Sequence, residues 1–351
     1  MIQLMVPLSI LDLSPIIQGG DAGLALRNSL DLARHAEAWG FQRYWVAEHH
    51  NMPSIASAAT AVVIGHVAAG TRTIRVGAGG IMLPNHAPLL IAEQFGTLET
   101  LFPGRIDLGL GRAPGSDRNT MLALRRSPTS ADSFAGDVLE LYGYLSGQTL
   151  VDGVHAVPQA DQPVPLYILG SSLFGAQLAA QLGLPYAFAS HFAPDALHQA
   201  VDTYRETFRP SEHLAEPYVI AGVNVFAADD HDVAQRQRTI AYRARTRAML
   251  TRDVRGATFT DAEIDAFLAS PNGNGLAGMT RYTVAGTPDE VQRYLFDFAA
   301  SARADELIVA HHASEVADRV RSVELTGAAV SAIVEPPVLQ DRAWTRPTSR
   351  T

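Results

Sequence analysis

The sequence lacks two residue types on which much enzyme chemistry depends. None of its 351 residues is cysteine, which excludes disulfides, thiolate nucleophiles, iron–sulfur clusters and cysteine-ligated zinc. Lysine is absent as well, so all 27 basic residues are arginine. Without a lysine amine there is no Schiff base to pyridoxal or to a carbonyl substrate, and no Walker A phosphate loop. The chemistry must come from histidine, carboxylates, hydroxyls or a bound cofactor.

Positive charge and long apolar runs are also scarce. A formal net charge of −9 argues against nucleic acid or an anionic membrane surface as the partner, because both bind basic faces. The longest apolar stretch, Ile55–Gly70, contains His66 and is too short to span a bilayer comfortably. The first residues lack the basic region of a signal peptide, and Pro7 interrupts their apolar run. We therefore expect a cytoplasmic protein with no membrane or nucleic-acid partner.

Short apolar runs alternate with helical patterns along the whole chain. Parallel strands that are buried on both faces have such continuous apolar sequences. Eight strands separated by helices fit either a closed (β/α)8 TIM barrel or an open doubly wound sheet. No G-x-G-x-x-G motif follows the first strand, which favours the α/β TIM barrel. The predicted strands are Gln3–Val6, Arg43–Ala47, Ile74–Gly77, Ile106–Leu110, Leu166–Leu169, Tyr186–Ala189, Val219–Phe226 and Glu306–Ala310.

The domain organisation follows from the spacing of these strands. One barrel domain is predicted over residues 1–334, and the long segment 227–285 between the seventh and eighth strands is interpreted as an insertion that caps the barrel mouth. Within it, the arginine-rich stretch 235–250 has a helical pattern and residues 271–275 are typical of a loop. Residues 335–351 contain proline and arginine and are interpreted as a C-terminal tail or dimer arm.

The functional site of a TIM barrel lies at the carboxyl ends of its strands. In this sequence polar residues and glycines follow most of the predicted strands, so they collect at one end of the barrel. That clustering predicts the position of the site without reference to any family. The residues are Glu48, His49 and His50 after the second strand, Gly77–Gly80 with Asn85 and His86 after the third, Gly111 and Arg112 after the fourth, Gly170, Ser171 and Ser172 after the fifth, His191 after the sixth, and His311 and His312 after the eighth.

The histidine pair after the second strand has two interpretations. His49 and His50 are either polar residues at a strand end or functional groups, and their position beside Glu48 at the mouth favours function. A metal site is disfavoured, because adjacent side chains leave a strand on opposite faces and no H-E-x-x-H motif is present. His311 and His312 are interpreted as mouth-lining or surface residues. We therefore predict no metal.

The glycines and the arginine near the mouth also have two interpretations each. Gly79 and Gly80 either mark a bulge in the strand or let a flat ring lie against the backbone. Arg112 either forms a surface ion pair or binds a phosphate through its planar guanidinium group. Ser171 and Ser172 are expected to cap a helix, and such a helix start also binds anions. Arg112 and this helix start, on neighbouring strands, would hold one phosphate together.

Three segments resemble motifs of the bacterial-luciferase-like flavin monooxygenases, in that family's order and spacing. Tyr44–His50 resembles the second-strand motif, Arg75–Pro84 the third-strand segment and Phe102–Arg112 the fourth-strand motif, and the likeness continues to the helix start at Val284–Pro288. The resemblance implies a homodimeric TIM barrel that binds FMN non-covalently. It further implies that reduced FMN, supplied by a separate flavin reductase, reacts with O2 to oxygenate a small organic substrate.

The resemblance implies where the flavin lies. Arg112 and Ser172 would hold the phosphate, with Ser171 beside them, and the ring would lie against the third-strand glycines. Members of the family have a non-proline cis peptide at the place that corresponds to Gly79–Gly80. The residues implied in cofactor binding are Ala78, Gly79, Gly80, Gly111, Arg112, Gly170, Ser171 and Ser172.

The resemblance also implies a catalytic residue. His49 matches the family's active-site histidine, a proton donor or acceptor near the flavin, with Glu48 and His50 as its catalytic neighbours. Light-emitting members typically have a reactive cysteine where Gly111 stands and an acidic residue where Ser171 stands, so neither light emission nor a long-chain aldehyde substrate is expected. Two alternatives stay open: hydride transfer with a deazaflavin and no oxygen, and a non-catalytic flavin-binding protein.

Overall fold

The computed structural model describes residues 6–17, 19–113, 117–253 and 258–330. Within these ranges the chain forms nine strands, and all their pairings are parallel. The strands are β1 (Leu8–Asp12), β2 (Arg43–Val46), β3 (Arg75–Met82), β4 (Ile106–Gly111), β5 (Leu166–Gly170), β6 (Tyr186–Phe188), β7 (Val219–Ala227), β8 (Thr283–Gly286) and β9 (Glu306–His311).

Eight of these strands close into a barrel, which confirms the predicted α/β TIM barrel. Strands β1 to β7 follow one another around the ring, and β9 lies between β7 and β1. The nine-residue β7 is long enough to pair with two strands along one edge. Its first residues pair with β6, and its last residues, Asn224–Ala227, pair with β8. Strand β8 therefore extends the sheet beyond the ring.

Helices separate most of the strands and cover the outside of the barrel. None of the helices in the described ranges is long and apolar enough to cross a membrane. The helices are α1 (Ala22–Ala38), α2 (Thr60–Gly70), α3 (Pro88–Leu101), α4 (Arg118–Ala123), α5 (Phe134–Ser146), α6 (Leu173–Leu182), α7 (Leu197–Thr207), α8 (His231–Asp253), α9 (Asp261–Leu268), α10 (Pro271–Met279), α11 (Pro288–Ala302) and α12 (Val316–Val330).

The first helix begins at a side-chain cap. The carboxylate of Asp21 accepts a hydrogen bond of 2.7 Å from the backbone N–H of Leu24, which satisfies one of the amides that a helix start leaves unpaired. We expect Asp21→Ala to lower the free energy of unfolding by about 1 kcal/mol, measured by urea denaturation. Asp21→Asn keeps an oxygen acceptor and should retain most of the stability. Equal losses in the two variants would contradict the capping role.

Two predicted strands differ from the observed ones by more than one residue at an end. The predicted first strand, 3–6, falls mostly on residues outside the described ranges, and the first described strand is Leu8–Asp12. The third strand was predicted to stop at Gly77 but continues to Met82, with a shift of register against β4 after Ala78. The predicted bulge is therefore present. The strand continues through its glycines because β4 approaches it closely there.

The segment between β7 and β9 contains more regular structure than the sequence predicted. The arginine-rich helix is confirmed as α8, but the expected loop at 271–275 is wrong, since those residues begin α10. Ser270 accepts a hydrogen bond from the Gly273 amide and Pro271 occupies the first helical position, so an ordinary helix start outweighs the glycines. Strand β8 was not predicted. The predicted tail 335–351 lies outside the described residues.

An ion-paired network fills the barrel at the amino ends of its strands. Arg43 donates to both oxygens of Glu306, at 2.7 and 2.9 Å, and to Asp107 at 2.9 Å. Asp107 also accepts from Arg75, and Tyr218 donates to Glu306. Above this network the interior becomes apolar. The apolar cluster inside the barrel consists of Leu11, Trp45, Ala47, Tyr167, Ala187, Ile220 and Ile308.

Candidate active site

The predicted site residues lie at neighbouring strand ends. Strands β2, β3, β4 and β5 are adjacent in the barrel, and their carboxyl ends meet at the end away from the Arg43 network. The structure therefore brings the residues that follow these four strands to one side of the barrel mouth. They are Glu48, His49 and His50 after β2, Gly79 and Gly80 within β3, Gly111 and Arg112 at the end of β4, and Gly170, Ser171 and Ser172 at the end of β5.

Glu48 is the centre of a buried hydrogen-bonded cluster. Only 1% of its surface is exposed, and its carboxylate contacts the Nε2 atoms of both His50 and His86 at 2.8 Å. The backbone N–H of Met82 donates to its second oxygen at 3.1 Å, and the Asn85 amide donates at 3.4 Å. Four donors thus hold one carboxylate between the loops that follow β2 and β3. His86 is the member of this cluster that was not assigned as a site residue.

The contacts around Glu48 shift the pKa values of the cluster. Burial opposes ionisation of Glu48, but hydrogen bonds from His50 and His86 outweigh it and lower the pKa of Glu48 to about 2. The hydrogen bond to Glu48 raises the pKa of His50 above 6.5, and burial only partly offsets this. A raised histidine pKa stabilises the fold at low pH, and the contribution is lost as the pH rises through the folded-state pKa. The lowered pKa of Glu48 has the opposite dependence, so the ion pair of Glu48 and His50 contributes most between about pH 4.5 and 6.5, the ordinary pKa values of the two groups.

This shift gives a prediction for histidine titration. In Glu48→Gln the partner of His50 loses its charge but keeps an oxygen acceptor, so the pKa of His50 should fall relative to the wild type. Nuclear magnetic resonance of 15N-labelled histidine follows the titration directly. Glu93→Gln, a change on α3 away from the cluster, serves as the control. An unchanged His50 titration in Glu48→Gln would contradict the assigned contact.

The same three side chains are the residues that suit a cation. Ligand atoms of Glu48, His50 and His86 lie within 4.8 Å of one another, which resembles a two-histidine, one-carboxylate set. His49 is not part of the set, in agreement with the expectation that adjacent histidines diverge. Hydrogen bonds already satisfy the Glu48 carboxylate, so these side chains form a complete carboxylate–histidine hydrogen-bond network.

The glycines of β3 and β4 form a wall without side chains. The peptide between Gly79 and Gly80 is cis, as the resemblance implied. A Cβ atom on Gly79 would lie 2.9 Å from Leu11 and Trp45, and one on Gly80 would lie 2.7 Å from the Gly109 carbonyl. Side chains are therefore excluded at these positions by their neighbours. Gly79 is half-buried and Gly80 is buried, so this part of β3 contributes backbone without side chains to the end of the barrel.

Gly111 and Gly170, at the ends of β4 and β5, also lie close to neighbouring residues. A Cβ on Gly111 would lie 2.9 Å from the sulfur of Met82. Gly170 ends β5 and approaches Gly175 of α6, whose added Cβ would lie 3.5 Å from the Gly170 Cα. The start of α6 thus packs directly on the end of β5.

Arg112 lies beside the start of α6. Its guanidinium carbon is 4.2 Å from the ring centroid of Phe174, in the first turn of that helix. Its Nε donates to the Ala131 carbonyl at 3.2 Å, and the nearest carboxylate, Asp132, is 4.0 Å away. The side chain is 42% exposed. The cation therefore faces solvent next to a helix N-terminus, which is the arrangement expected of an anion site.

One of the two serines does not cap the helix as predicted. Ser172 is the N-cap residue of α6 by position, but its hydroxyl accepts no capping hydrogen bond within the described part of the chain, so the capping interpretation is wrong for it. Ser171 and Ser172 are both exposed. Hydroxyls in that position are accessible to a ligand beside the first-turn amides of α6.

The histidine pair after β9 divides between two environments. His311 was expected at the mouth or the surface, but it is buried behind the strand, and its Nδ1 lies 2.7 Å from the Ser322 hydroxyl of α12. The expectation is wrong for His311 because successive side chains of a strand alternate between faces. His312, the next residue, therefore faces the other way, towards the barrel mouth.

The fold and the residues at the strand ends together define a TIM-barrel enzyme of the α/β class. A family model identifies the family. The chain belongs to the luciferase-like monooxygenase family, whose model matches residues 7–329. Membership supports a monooxygenase.

Relatives match almost the full length of the chain. The luciferase-like monooxygenase of Escherichia coli K12 is 47% identical over 322 residues, which cover 91% of this chain and 96% of the relative. The N-acetyl-S-alkylcysteine monooxygenase of Bacillus subtilis is 29% identical over 339 residues, 93% of this chain and 99% of the relative. The solved structure of apo-MsnO8 superposes with a TM-score of 0.82 at 35% identity, covering 92% of this chain and 98% of that one.

Two more distant structures carry different cofactors on the same fold. The oxygenating constituent of 3,6-diketocamphane monooxygenase from Pseudomonas putida, in complex with FMN, has a TM-score of 0.70 at 16% identity, covering 93% and 97% of the two chains. An F420-dependent secondary alcohol dehydrogenase has a TM-score of 0.69 at 16% identity, covering 93% and 100%. At this identity the likeness shows the fold alone.

Proposed function

We propose that this protein is an FMN-dependent monooxygenase that uses reduced FMN and O2 to oxygenate a small organic substrate. The observation that carries the proposal is the placement of Arg112 over Phe174 at the start of α6, next to the glycine wall of β3 and β4. A phosphate group and a flat ring thus each have a matching surface at one barrel mouth. We expect a homodimer in the cytoplasm that receives its reduced FMN from a separate reductase.

FMN fits the residues at the ends of β3, β4 and β5. Arg112 and the exposed hydroxyls of Ser171 and Ser172 would hold the phosphate, together with the first-turn amides of α6. The backbone of Ala78–Gly80 would support the ring, since added side chains at the two glycines would collide with neighbouring atoms. Gly111 and Gly170 leave the approach between these two surfaces clear.

When bound, reduced FMN would supply the two electrons needed to place one atom of O2 in the substrate and reduce the other to water. The protein's own contribution is position, exclusion of water and proton transfer. Trp45 of β2 and Ala47, which directly follows β2, face the barrel interior, and the same alternation would direct His49 towards the ring. Glu48 and His50 hold the adjacent backbone through their buried ion pair.

Binding of FMN and riboflavin tests the phosphate site, because riboflavin lacks the phosphate. We expect Arg112→Ala to weaken FMN binding 10- to 100-fold, the worth of a hydrogen bond to a charged group, and to leave riboflavin binding unchanged. Arg72→Ala, which removes an exposed arginine at the other end of the barrel, is the control for net charge. The affinity is measured by flavin fluorescence. Equal losses for both flavins would contradict a phosphate role for Arg112.

A deazaflavin is the second candidate cofactor. The F420-dependent dehydrogenase on the same fold favours this candidate. The reaction would then be hydride transfer without oxygen, at the same glycine wall. Parallel titrations with reduced FMN and reduced deazaflavin separate the two proposals, and the monooxygenase proposal requires the tighter complex with FMN.

A further inference from the structure

A second group of polar side chains lies farther round the barrel mouth from Arg112. His191 follows β6, Asn224 lies in β7 and His312 follows β9, and these three strands are neighbours in the ring. The proposed phosphate site uses the ends of β4 and β5. The second group is therefore available to a ligand other than the phosphate, such as the substrate.

Two atoms of this group are buried without a hydrogen-bond partner. The ring of His191 covers Gly222 of β7 so closely that a Cβ there would overlap its Nδ1 atom. Neither this Nδ1 nor Oδ1 of Asn224 has a partner among the described residues. The Asn224 amide nitrogen donates to the His191 carbonyl at 2.7 Å, which fixes the two residues together. Buried polar atoms are normally hydrogen-bonded, so these two atoms have hydrogen-bonding capacity to offer a ligand at the barrel mouth.

Helix α8 brings a cation to the same place. Asn224 also donates to the Thr283 hydroxyl, which accepts a second hydrogen bond of 2.9 Å from the hydroxyl of Tyr242. Arg245 lies three residues after Tyr242 and therefore on the same face of α8. It is accessible to solvent and forms no ion pair with any carboxylate in the described ranges. Partial burial of the guanidinium lowers the pKa of Arg245.

The electrostatics of the group leave one positive charge uncompensated. Burial, together with the charges of His312 and Arg245, lowers the pKa of His191 to about 3. Burial, Arg245 and Arg319 lower the pKa of His312 to about 4, and Asp12 opposes this only weakly because it is paired with Arg319. Both histidines are therefore neutral at pH 7. Each can donate one N–H beside the guanidinium of Arg245.

We propose that Arg245, His312 and His191 bind an oxyanion on the substrate, a carboxylate or a sulfonate, and that the substrate is a small organic anion with an oxidisable apolar part. This inference rests on the proposed monooxygenase function and adds the class of substrate. A planar guanidinium binds such a group through two parallel hydrogen bonds. The apolar part of the substrate would then extend towards the glycine wall and the interior residues Leu11 and Trp45.

Binding of three simple probes tests the proposal. Hexanoate, hexanesulfonate and hexan-1-ol share one chain length, and their binding to the protein, with and without FMN, is measured by calorimetry. We expect the two anions to bind at least tenfold more tightly than the alcohol, and the tighter anion identifies the headgroup. Arg245→Gln should remove this preference, Arg245→Lys should keep part of it, and FMN affinity should not change. Arg236→Gln, an exposed arginine on the same helix, should behave as the wild type.

Three results would overturn the inference. Hexan-1-ol and the anions could bind equally, or no anion could bind at millimolar concentration. Alternatively, Arg245→Gln could weaken FMN binding and leave anion binding unchanged, which would assign Arg245 to the flavin ring. Failure of the proposed function is recognised separately, because it appears as absent FMN binding while the anion preference in the flavin-free protein persists.

Discussion

His49→Ala is expected to lower formation of oxygenated product 10²- to 10⁴-fold, with FMN affinity unchanged. The magnitude is that of a general acid or base, and the affinity is retained because the proposed phosphate and ring contacts come from other residues. The variant should still oxidise reduced FMN. Without the proton transfer, oxygen leaves as hydrogen peroxide and the substrate is not oxygenated. Product and peroxide are measured in the same reaction.

His66→Ala is the matched control for this prediction. His66 is exposed on α2, so its loss removes an imidazole without touching the barrel mouth. We expect the control to form product at the wild-type rate. If His49→Ala forms product as fast as the control while FMN still binds, the catalytic assignment of His49 is wrong.

Glu306→Ala is expected to lower the free energy of unfolding by about 3–5 kcal/mol. Arg43 is only 4% exposed and donates to both oxygens of Glu306. Removing the carboxylate leaves a buried guanidinium whose remaining partners are Asp107 and the Tyr167 hydroxyl, and breaking a buried pair has this cost. Ser9 and Tyr218 lose their acceptor in the same step. Urea denaturation measures the change.

Two further variants separate charge from packing. Tyr218→Phe removes one hydrogen bond to Glu306 and should cost about 1 kcal/mol. The double variant Arg43→Met with Glu306→Leu removes both charges and should be more stable than Glu306→Ala. A double variant that is less stable than Glu306→Ala would show that side-chain packing, and not the unpaired charge, determines the loss of stability.

The barrel was predictable because its strands are buried on both faces. Runs such as Arg43–Ala47 and Val219–Phe226 leave no other interpretation than an internal strand, and observed strands start at these positions. The strand predictions failed where a local sequence signal was outweighed by a contact between residues that are distant in sequence. The glycines predict that β3 ends at Gly77, but the residues of β3 after Gly77 also pair with β4. Strand β8 has only four residues and forms because β7 provides a free edge.

The candidate site was predictable to the extent that it follows strand ends. Glu48, His50, Arg112 and the β3 glycines come to one mouth because parallel strands share their direction. His86 was noted after the third strand, but its contact with Glu48 joins residues 38 positions apart, and no local pattern specifies it. The placement of Arg245 depends on how α8 packs against β8, where Tyr242 contacts Thr283, and periodicity alone does not determine this.

The reaction of reduced flavin with oxygen tests the central claim most directly. The protein with photoreduced FMN is mixed rapidly with oxygenated buffer, and absorbance is followed in the near ultraviolet. We expect a transient absorbance spectrum that matches neither reduced nor oxidised FMN and that lasts longer than the rapid oxidation of free flavin. Oxidation at the rate of free flavin, with no transient, would contradict the monooxygenase and would favour the deazaflavin enzyme or a non-catalytic flavin-binding protein.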